Sequence, residues 1–302
     1  MKVLVTGATG HLGTAVVAHL AQLGHEVVAA SRSGKLPAGA ARALAVDVAS
    51  DTAPALLKPE LDAGTALVHL AAFHPPSTWS TGPAERRTLA EINVRGTMRT
   101  LEAARRNARG CACVVYSSSF EVYGEVSGSD AITENVRLNP MTDYGATKLS
   151  GEDHLLAFAY EEKTRVVALR MPAIYGPGEH TPRALPNFLK QVAAGVRPTI
   201  FGDGADLRDQ LHVRDAARAI ALGISSSAQG IFNVADGEPH SILQLARTAL
   251  EVAGMSGDPE MRPRQKARVD CHMSIAKARA ELGFAPSVTL RDGMAEQLAS
   301  LR

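Results

Sequence analysis

The opening stretch Lys2-Val-Leu-Val-Thr-Gly-Ala-Thr-Gly-His-Leu-Gly13 leaves this chain few ways to fold. A short Val/Leu run ends at Gly7 and a helical pattern starts almost at once, so Gly7, Gly10 and Gly13 share one strand-to-helix turn. Gly7 permits the tight turn, Gly10 lets the backbone approach a bound group, and Gly13 allows close packing of helix on strand. The helix N-terminus then offers free N–H groups and the positive end of its dipole to phosphate. In this strand–helix context the spacing predicts a dinucleotide-binding loop. The competing reading is a turn that merely needs positive φ.

The same alternation continues downstream. Val3–Thr6, Glu26–Ala30, Ala66–Leu70, Cys113–Ser117 and Arg165–Leu169 read as short strands buried on both faces. Leu12–Leu23, Ala84–Ala108 and Thr142–Glu161 read as helices between them. Strand–helix alternation implies a doubly wound α/β fold, a parallel sheet with right-handed crossovers. After Arg170, prolines at 172, 177, 182, 186 and 198 break the chain into short elements. Val213–Ile224 and Ile231–Val234 read as a helix and strand rejoining the sheet, and 236–302 as mostly helical. The expected division is a dinucleotide-binding domain, 1–172 plus 213–235, and a smaller discontinuous C-terminal substrate lobe, 173–212 plus 236–302.

Composition removes other classes. The 32 Lys+Arg nearly balance 31 Asp+Glu, a formal net charge of +1, so no bulk field would hold the protein to nucleic acid or to an anionic membrane. No apolar run approaches the roughly 18 residues of a membrane span. Val3, Leu4 and Val5 belong to the first strand, so no secretory signal is expected. Cys111, Cys113 and Cys271 are too few for a tetrahedral zinc cage, and no metal site is expected. Reduced thiols and a cytoplasmic location fit that usage. Cys111 and Cys113, two residues apart, are expected on the same strand face in the core.

Two further places carry chemistry. At the end of the second strand an NAD site usually holds an acid for the ribose 2′-OH, but here Ser31 and Arg32 stand, with Lys35 beyond. A hydroxyl beside a guanidinium suits a 2′-phosphate, so NADP(H) is the expected cofactor, with NAD(H) as the alternative. The other reading is a solvated loop with incidental basic residues. In Asp143-Tyr144-Gly-Ala-Thr-Lys148 a phenol and an ammonium share one helix face. A nearby cation favours phenolate, and such a phenol can give or take the proton of an alcohol–ketone pair. A plain surface pair would look the same. What distinguishes this one is Tyr116-Ser-Ser-Ser119-Phe-Glu-Val-Tyr-Gly124 at the carboxyl end of the preceding strand, where ligands bind in open α/β sheets.

With these pieces together, the sequence resembles an extended short-chain dehydrogenase/reductase of the NAD(P)-dependent epimerase/dehydratase branch, over nearly its whole length. The resemblance implies a Rossmann sheet and a catalytic set of Ser119, Tyr144 and Lys148. It implies cofactor contacts from Gly7, Gly10, His11, Leu12 and Gly13, from Ser31 and Arg32, and from Asp47 and Val48 beside the adenine. Leu70, Ala71 and Ala72 of His69-Leu-Ala-Ala72, Asn93 of Asn93-Val-Arg-Gly-Thr97, and Met171 of Arg170-Met-Pro-Ala-Ile-Tyr-Gly-Pro177 complete that set, with Tyr144 and Lys148. Ser119 and Glu121 would touch substrate. Arg208 and Arg264, the latter 13 residues before Lys277, resemble the arginines that hold the diphosphate of a nucleotide sugar. Arg262, Arg264, Lys266 and Arg268 alternate, which on an extended backbone puts four cations on one face; a solvated basic edge is the other reading.

Three departures shape the expected reaction. Ala173 stands where sugar-nucleotide members usually carry Asn, and Phe120 stands where sugar 4,6-dehydratases carry an acid, which disfavours dehydration despite Glu121. Ser31-Arg32 replaces the NAD-type acid of the 4-epimerases. Together they point to NADPH-dependent ketoreduction of a nucleotide sugar. The alternatives are an NAD-retaining nucleotide-sugar 4-epimerase, a hydroxysteroid- or polyketide-type ketoreductase, and a non-catalytic NADP(H)-sensing protein. His74 reads either as a loop residue or as a polar contact at the site, and Trp79 as a loop residue that packs or covers it. A homodimer is implied by the resemblance alone.

Overall fold

The computed structural model describes residues 1–78, 80–105, 110–125, 131–179, 181–265 and 270–301. Six strands come first: β1 (Lys2–Thr6), β2 (Glu26–Ser31), β3 (Arg42–Ala45), β4 (Thr65–His69), β5 (Cys113–Ser119) and β6 (Arg165–Met171). The chain then leaves through β7 (Ala173–Tyr175), β8 (Thr199–Phe201), β9 (Leu207–Arg208) and β10 (Gln210–His212), and returns as β11 (Gly230–Asn233). The short β12 (His240–Ser241) and β13 (Glu260–Arg262) follow. Among the described residues one seven-stranded sheet runs β3-β2-β1-β4-β5-β6-β11, parallel throughout. The strand order reverses between β1 and β4, the place where open α/β sheets leave a crevice.

Helices cover both faces: α1 (His11–Gln22), α2 (Ala53–Leu57), α3 (Pro83–Leu89), α4 (Gly96–Arg105), α5 (Asp143–Glu162), α6 (Ala184–Ala193), α7 (Val213–Ser225), α8 (Ile242–Ala253) and α9 (Leu290–Ala299). Alternate strand residues serve the two layers. Val3, Val5 and Val68 pack with Val16 and Leu20 of α1 and Ile220 of α7. Leu4, Leu67 and Val114 pack with Leu101 of α4 and Leu155 and Phe158 of α5. That two-sided burial is why the strands are continuously apolar. A separate apolar cluster joins α6, α8 and α9 through Phe188, Leu189, Leu245, Leu250 and Met294.

Several expectations change. The helix expected over 84–108 is α3, a π turn (Ala90–Arg95) and α4, and residues 106–109 lie outside those described. Cys113 lies in β5, but Cys111 precedes that strand and packs into the opposite layer, so the two thiols do not share a face. All three cysteines are free and buried, and burial pushes Cys111 and Cys271 up to about 12. The stretch 236–302 includes β12 and β13 besides its helices. Of the alternating cations only Arg262 lies in a strand, where it pairs with Glu260, while Lys266 and Arg268 fall outside the described residues, as does Trp79. No helix among the described residues is long and apolar enough to cross a membrane.

Candidate active site

β1 delivers its carboxyl end to the glycine loop at the crevice. Gly7 has φ +72°, and a Cβ there would lie 2.6 Å from the Ala71 nitrogen, so both backbone shape and close approach demand glycine. At Gly13 a Cβ would fall 2.1 Å from the Gly7 carbonyl oxygen, whereas at Gly10 the nearest atom is 3.4 Å away. Gly7 and Gly13 are thus fixed by packing, and Gly10 leaves open space in front of the α1 N-terminus. That space is part of a cavity of about 520 Å³ lined by Gly7, Gly10, Ser31, Arg32, Asp47, Val48, Leu70, Ala71 and Ala72. Its lining fits a nicotinamide dinucleotide: a glycine cradle for the pyrophosphate, Asp47 and Val48 at one end, and Phe73 and His74 at the other.

Seven residues expected at the cofactor do not line that wall: His11, Leu12, Gly13, Asn93, Tyr144, Lys148 and Met171. Leu12 packs on the apolar layer and Met171 is buried in it. His11 faces Glu179, its Nδ1 3.3 Å from Oε2. Asn93 sits in the π turn and is fully engaged: its Nδ2 donates to the Phe73 carbonyl (3.0 Å) and to Thr147 Oγ1 (3.1 Å), while its Oδ1 accepts from Phe73 N (2.7 Å). With every polar atom occupied, Asn93 clamps the segment after β4 onto α5 and does not line the cavity.

Beside the cavity, β5 ends at Ser119, whose Oγ accepts from Glu121 N (3.2 Å) and caps a short turn, Phe120–Val122. Glu121 Oε2 accepts from Thr142 Oγ1 (2.6 Å), and Thr142, the N-cap of α5, accepts from Gly145 N (2.9 Å). A Cβ on Gly145 would sit 2.5 Å from the Glu121 carbonyl oxygen, so glycine in the helix's first turn lets α5 dock on the end of β5. This docking holds the first turn of α5, which carries Tyr144, against the turn that follows Ser119. Lys148 Nζ lies 4.7 Å from the Tyr116 ring centroid and 5.9 Å from that of Tyr144. Burial brings Lys148 down to about 8, offset in part by Glu152. The Tyr144 phenol is pushed up, by burial first and by the Glu121 charge second, with Arg183 pulling against both. The phenol is therefore raised where the Tyr–Lys spacing predicts a depressed one: Lys148 leans over Tyr116, and burial dominates at Tyr144.

His69, Thr6, Thr97 and Asn93 form a buried chain beneath the site. Thr97 Oγ1 donates to the Asn93 carbonyl (2.6 Å), so it accepts from His69 Nε2 (3.0 Å), and Nδ1 accepts from Thr6 Oγ1 (2.7 Å). Burial, with Lys148 nearby, holds this imidazole neutral, at about 3. His74 belongs to the site: its ring packs on Tyr144 at 4.7 Å and its Nε2 accepts from Arg183 Nη2 (2.7 Å). Neither Arg183 nor Glu179 was legible as a site residue, since both follow a run of Pro and Gly with no periodicity.

A second cavity, of about 970 Å³, is lined by Phe120, Asn187, Phe201, Arg208 and Arg264 among others. One carboxylate gathers its cations: Asp206 Oδ1 accepts from Arg264 Nη2 (2.7 Å), and Asp206 Oδ2 lies 3.5 Å from Arg208 Nη2. Arg264 also bonds Asp203 (2.6 Å). The two arginines, 56 positions apart, thus stand on one wall. Among the described residues no cluster of His, Cys, Asp or Glu is placed to hold a metal.

Residues 3–235 match the sequence profile of the NAD-dependent epimerase/dehydratase family. The chain belongs to that family. As a family member it is an enzyme, and its relatives span two reactions. It is 33% identical to a dTDP-glucose 4,6-dehydratase of Streptomyces griseus over 77% of this chain and 70% of that one. It is 30% identical to a UDP-glucose 4-epimerase of Mycolicibacterium smegmatis over 100% of this chain and 99% of that one. Its fold superposes on the UDP-glucose 4-epimerase of Thermotoga maritima, crystallised with UDP-glucose, with a TM-score of 0.88, 27% identity and coverage of 100% and 99%. Within this epimerase/dehydratase member, Phe120 lines the larger cavity and Ala173 opens β7 beside Gln210 of β10.

Proposed function

We propose that this enzyme carries out NADPH-dependent reduction of a ketone, or the reverse oxidation of a secondary alcohol, in a nucleotide sugar. The observation that carries the reading is that Tyr144 packs on His74, which lines the cavity of the glycine loop, while Ser119 directly precedes Phe120, which lines the cavity of the paired Arg208 and Arg264. Nicotinamide dinucleotide held along Gly7, Gly10, Asp47 and Leu70 to Ala72 supplies the hydride chemistry when bound. Tyr144 gives or takes the proton at the substrate oxygen through its phenol, and Ser119 Oγ orients that oxygen. Lys148, held near its titration range, supplies positive charge to the phenolate form once the hydroxyl loses its proton. Arg208 and Arg264 neutralise the diphosphate, which fixes the sugar by its remote end.

The preference for NADP(H) over NAD(H) is supported by the mouth of the first cavity, where Ser31, Arg32 and Ser33 line the wall at the end of β2. A second reading, 4-epimerisation with retained NAD, is favoured by the full-length match to UDP-glucose 4-epimerases. One experiment separates them. Purified protein is incubated with UDP-sugars, with and without NADPH, while cofactor consumption and sugar products are both followed. Ketoreduction predicts NADPH consumption by a keto-sugar substrate. Epimerisation predicts conversion of UDP-glucose to its C4 epimer with no added cofactor. Absence of both would remove the assignment to nucleotide sugars.

The division into 1–172 plus 213–235 and 173–212 plus 236–302 is supported by the separate apolar cluster of α6, α8 and α9. A homodimer along α4 and α5 is supported by the exposure of Met98, Leu156 and Tyr160 on those helices; sedimentation at micromolar concentration checks it.

A further inference from the structure

Tyr116 of β5 is buried in the apolar layer under α5, three residues before Ser119, and the chemistry above gives it no task. Its ring is held from two sides. His69 of β4 stacks on it at 5.8 Å with 21° between the planes, and that imidazole is itself fixed by Thr6 and Thr97. On the side of α5, a Cβ on Gly151 would lie 2.1 Å from the Tyr116 Oη, so glycine there makes room for the outer end of the phenol. Lys148 stands three residues before Gly151, on the same face of α5. Its Nζ comes over the fixed ring, 4.7 Å from the centroid, inside the roughly 6 Å at which a ring face attracts a cation.

The other groups around this buried ammonium offer it little counter-charge. Glu152, one turn further along α5, is bonded by Arg170 through both oxygens and by Ser118, so its charge is already matched. His69 and His74, from β4 and the loop after it, are held neutral by burial, at about 3 and about 4, and Lys148 itself pushes both lower. The Tyr144 ring lies farther off, at 5.9 Å, and burial raises its phenol. Burial raises the Tyr116 phenol as well, so what this residue gives the ammonium is the negative face of a neutral ring. Lys148, at about 8, stands where a modest change in its surroundings decides its charge near neutral pH.

We propose that Tyr116 is a positioning residue for the reaction: its locked ring seats the Lys148 ammonium and keeps it protonated one helical turn from Tyr144. The ring acts on proton transfer only through Lys148, so this rests on the ketoreduction reading, and the test separates the two. The full chain is prepared with isotope-labelled lysine as wild type, Tyr116→Phe and Tyr116→Leu, and Lys148→Met identifies the Lys148 signals in magnetic resonance spectra by their loss. In the wild type the ε-methylene protons of Lys148 should be displaced upfield by the ring current, and the ammonium should titrate near 8. Tyr116→Phe, which keeps the ring face, should retain both. Tyr116→Leu should lose the displacement and titrate about one pH unit lower. NADPH oxidation by UDP-4-keto-glucose should then be slower in Tyr116→Leu by about fivefold at pH 8 and close to wild type at pH 6, a dependence that a packing defect alone does not produce. Lys148 protons without an upfield displacement would overturn the proposal in the wild type alone, whether or not Tyr116→Leu folds. So would a Lys148 midpoint, or a rate at pH 8, that Tyr116→Leu leaves unmoved. Absence of NADPH oxidation in the wild type would instead overturn the ketoreduction reading, with the displacement and the midpoints still deciding the seat of Lys148.

Discussion

Lys148 shows the cost of placing a charge at a site. It is 3% exposed, and burial lowers it to about 8 against 10.5 for a free lysine. Between those values the unfolded chain binds a proton that the native state does not, so unfolding free energy rises with pH from about 8 to 10.5. Lys148→Met should remove that slope in denaturant titrations across the window. At pH 7 it should leave stability equal or higher by up to about 3 kcal/mol, while kcat falls by about 10²-fold or more. Loss of stability together with retained activity would contradict the role given to this ammonium. Chemical identity at this scale was the most legible part of the sequence: Gly7, Gly13, Tyr144, Lys148 and Ser119 stand where strand–helix context predicts. What spacing could not disclose was the direction a side chain takes on burial. Lys148 leans over Tyr116, and Asn93 turns from the cavity into a clamp.

At the scale of elements, α5 is held to the sheet by an ion pair out of contact with water. Arg170 of β6 and Glu152 of α5 are 2% and 1% exposed and meet through two bonds, Nε to Oε1 (2.9 Å) and Nη2 to Oε2 (2.6 Å). Ser118 Oγ donates to the same carboxylate (2.5 Å), and Arg170 Nη1 reaches Tyr123 Oη (2.9 Å), which donates to Asn233 (2.6 Å). One network therefore joins β5, β6, β11 and the catalytic helix. Glu152→Leu strands a buried guanidinium and should cost about 3–5 kcal/mol in urea unfolding. Adding Arg170→Met should recover much of that loss, and a purely additive double variant would contradict a coupled pair. The elements themselves followed from apolar runs and glycine turns. The exceptions have physical causes: β3 is a half-exposed edge strand without the Val/Leu run of its neighbours, and β7 to β10 are too short to show a period.

Over the whole molecule, a near-neutral total conceals cations placed apart from one another: Arg32 at the cofactor mouth, Arg183 at the reacting end, and Arg208 with Arg264 around Asp206. The last pair depends on a backbone detail. Gly202 has φ +103°, and a Cβ there would lie 2.9 Å from the Arg264 guanidinium carbon. Gly202→Ala should displace that side chain and weaken UDP binding by about tenfold, with little effect on cofactor affinity; unchanged UDP affinity would remove Arg264 from the diphosphate site. At the cofactor mouth, Ser31→Asp with Arg32→Asn should move preference from NADPH toward NADH in a direct binding comparison. An unchanged preference would leave those residues as a solvated loop. Family and sheet topology were readable from motifs spread along the chain. The packing of His74 on Tyr144 and against Arg183 was not, because it depends on how the segment after β6 folds back toward the loop after β4.

The central claim is that Tyr144 moves the proton while the nicotinamide exchanges hydride with a nucleotide-linked sugar. Its most direct test is nicotinamide absorbance in a single turnover, after cofactor-loaded enzyme is mixed with UDP-sugars, for wild type and Tyr144→Phe side by side. The account predicts a change in nicotinamide oxidation state in the wild type. It predicts loss of that change in Tyr144→Phe, by about 10²-fold or more in rate, with cofactor affinity retained. A Tyr144→Phe protein that turns over at the wild-type rate would contradict it.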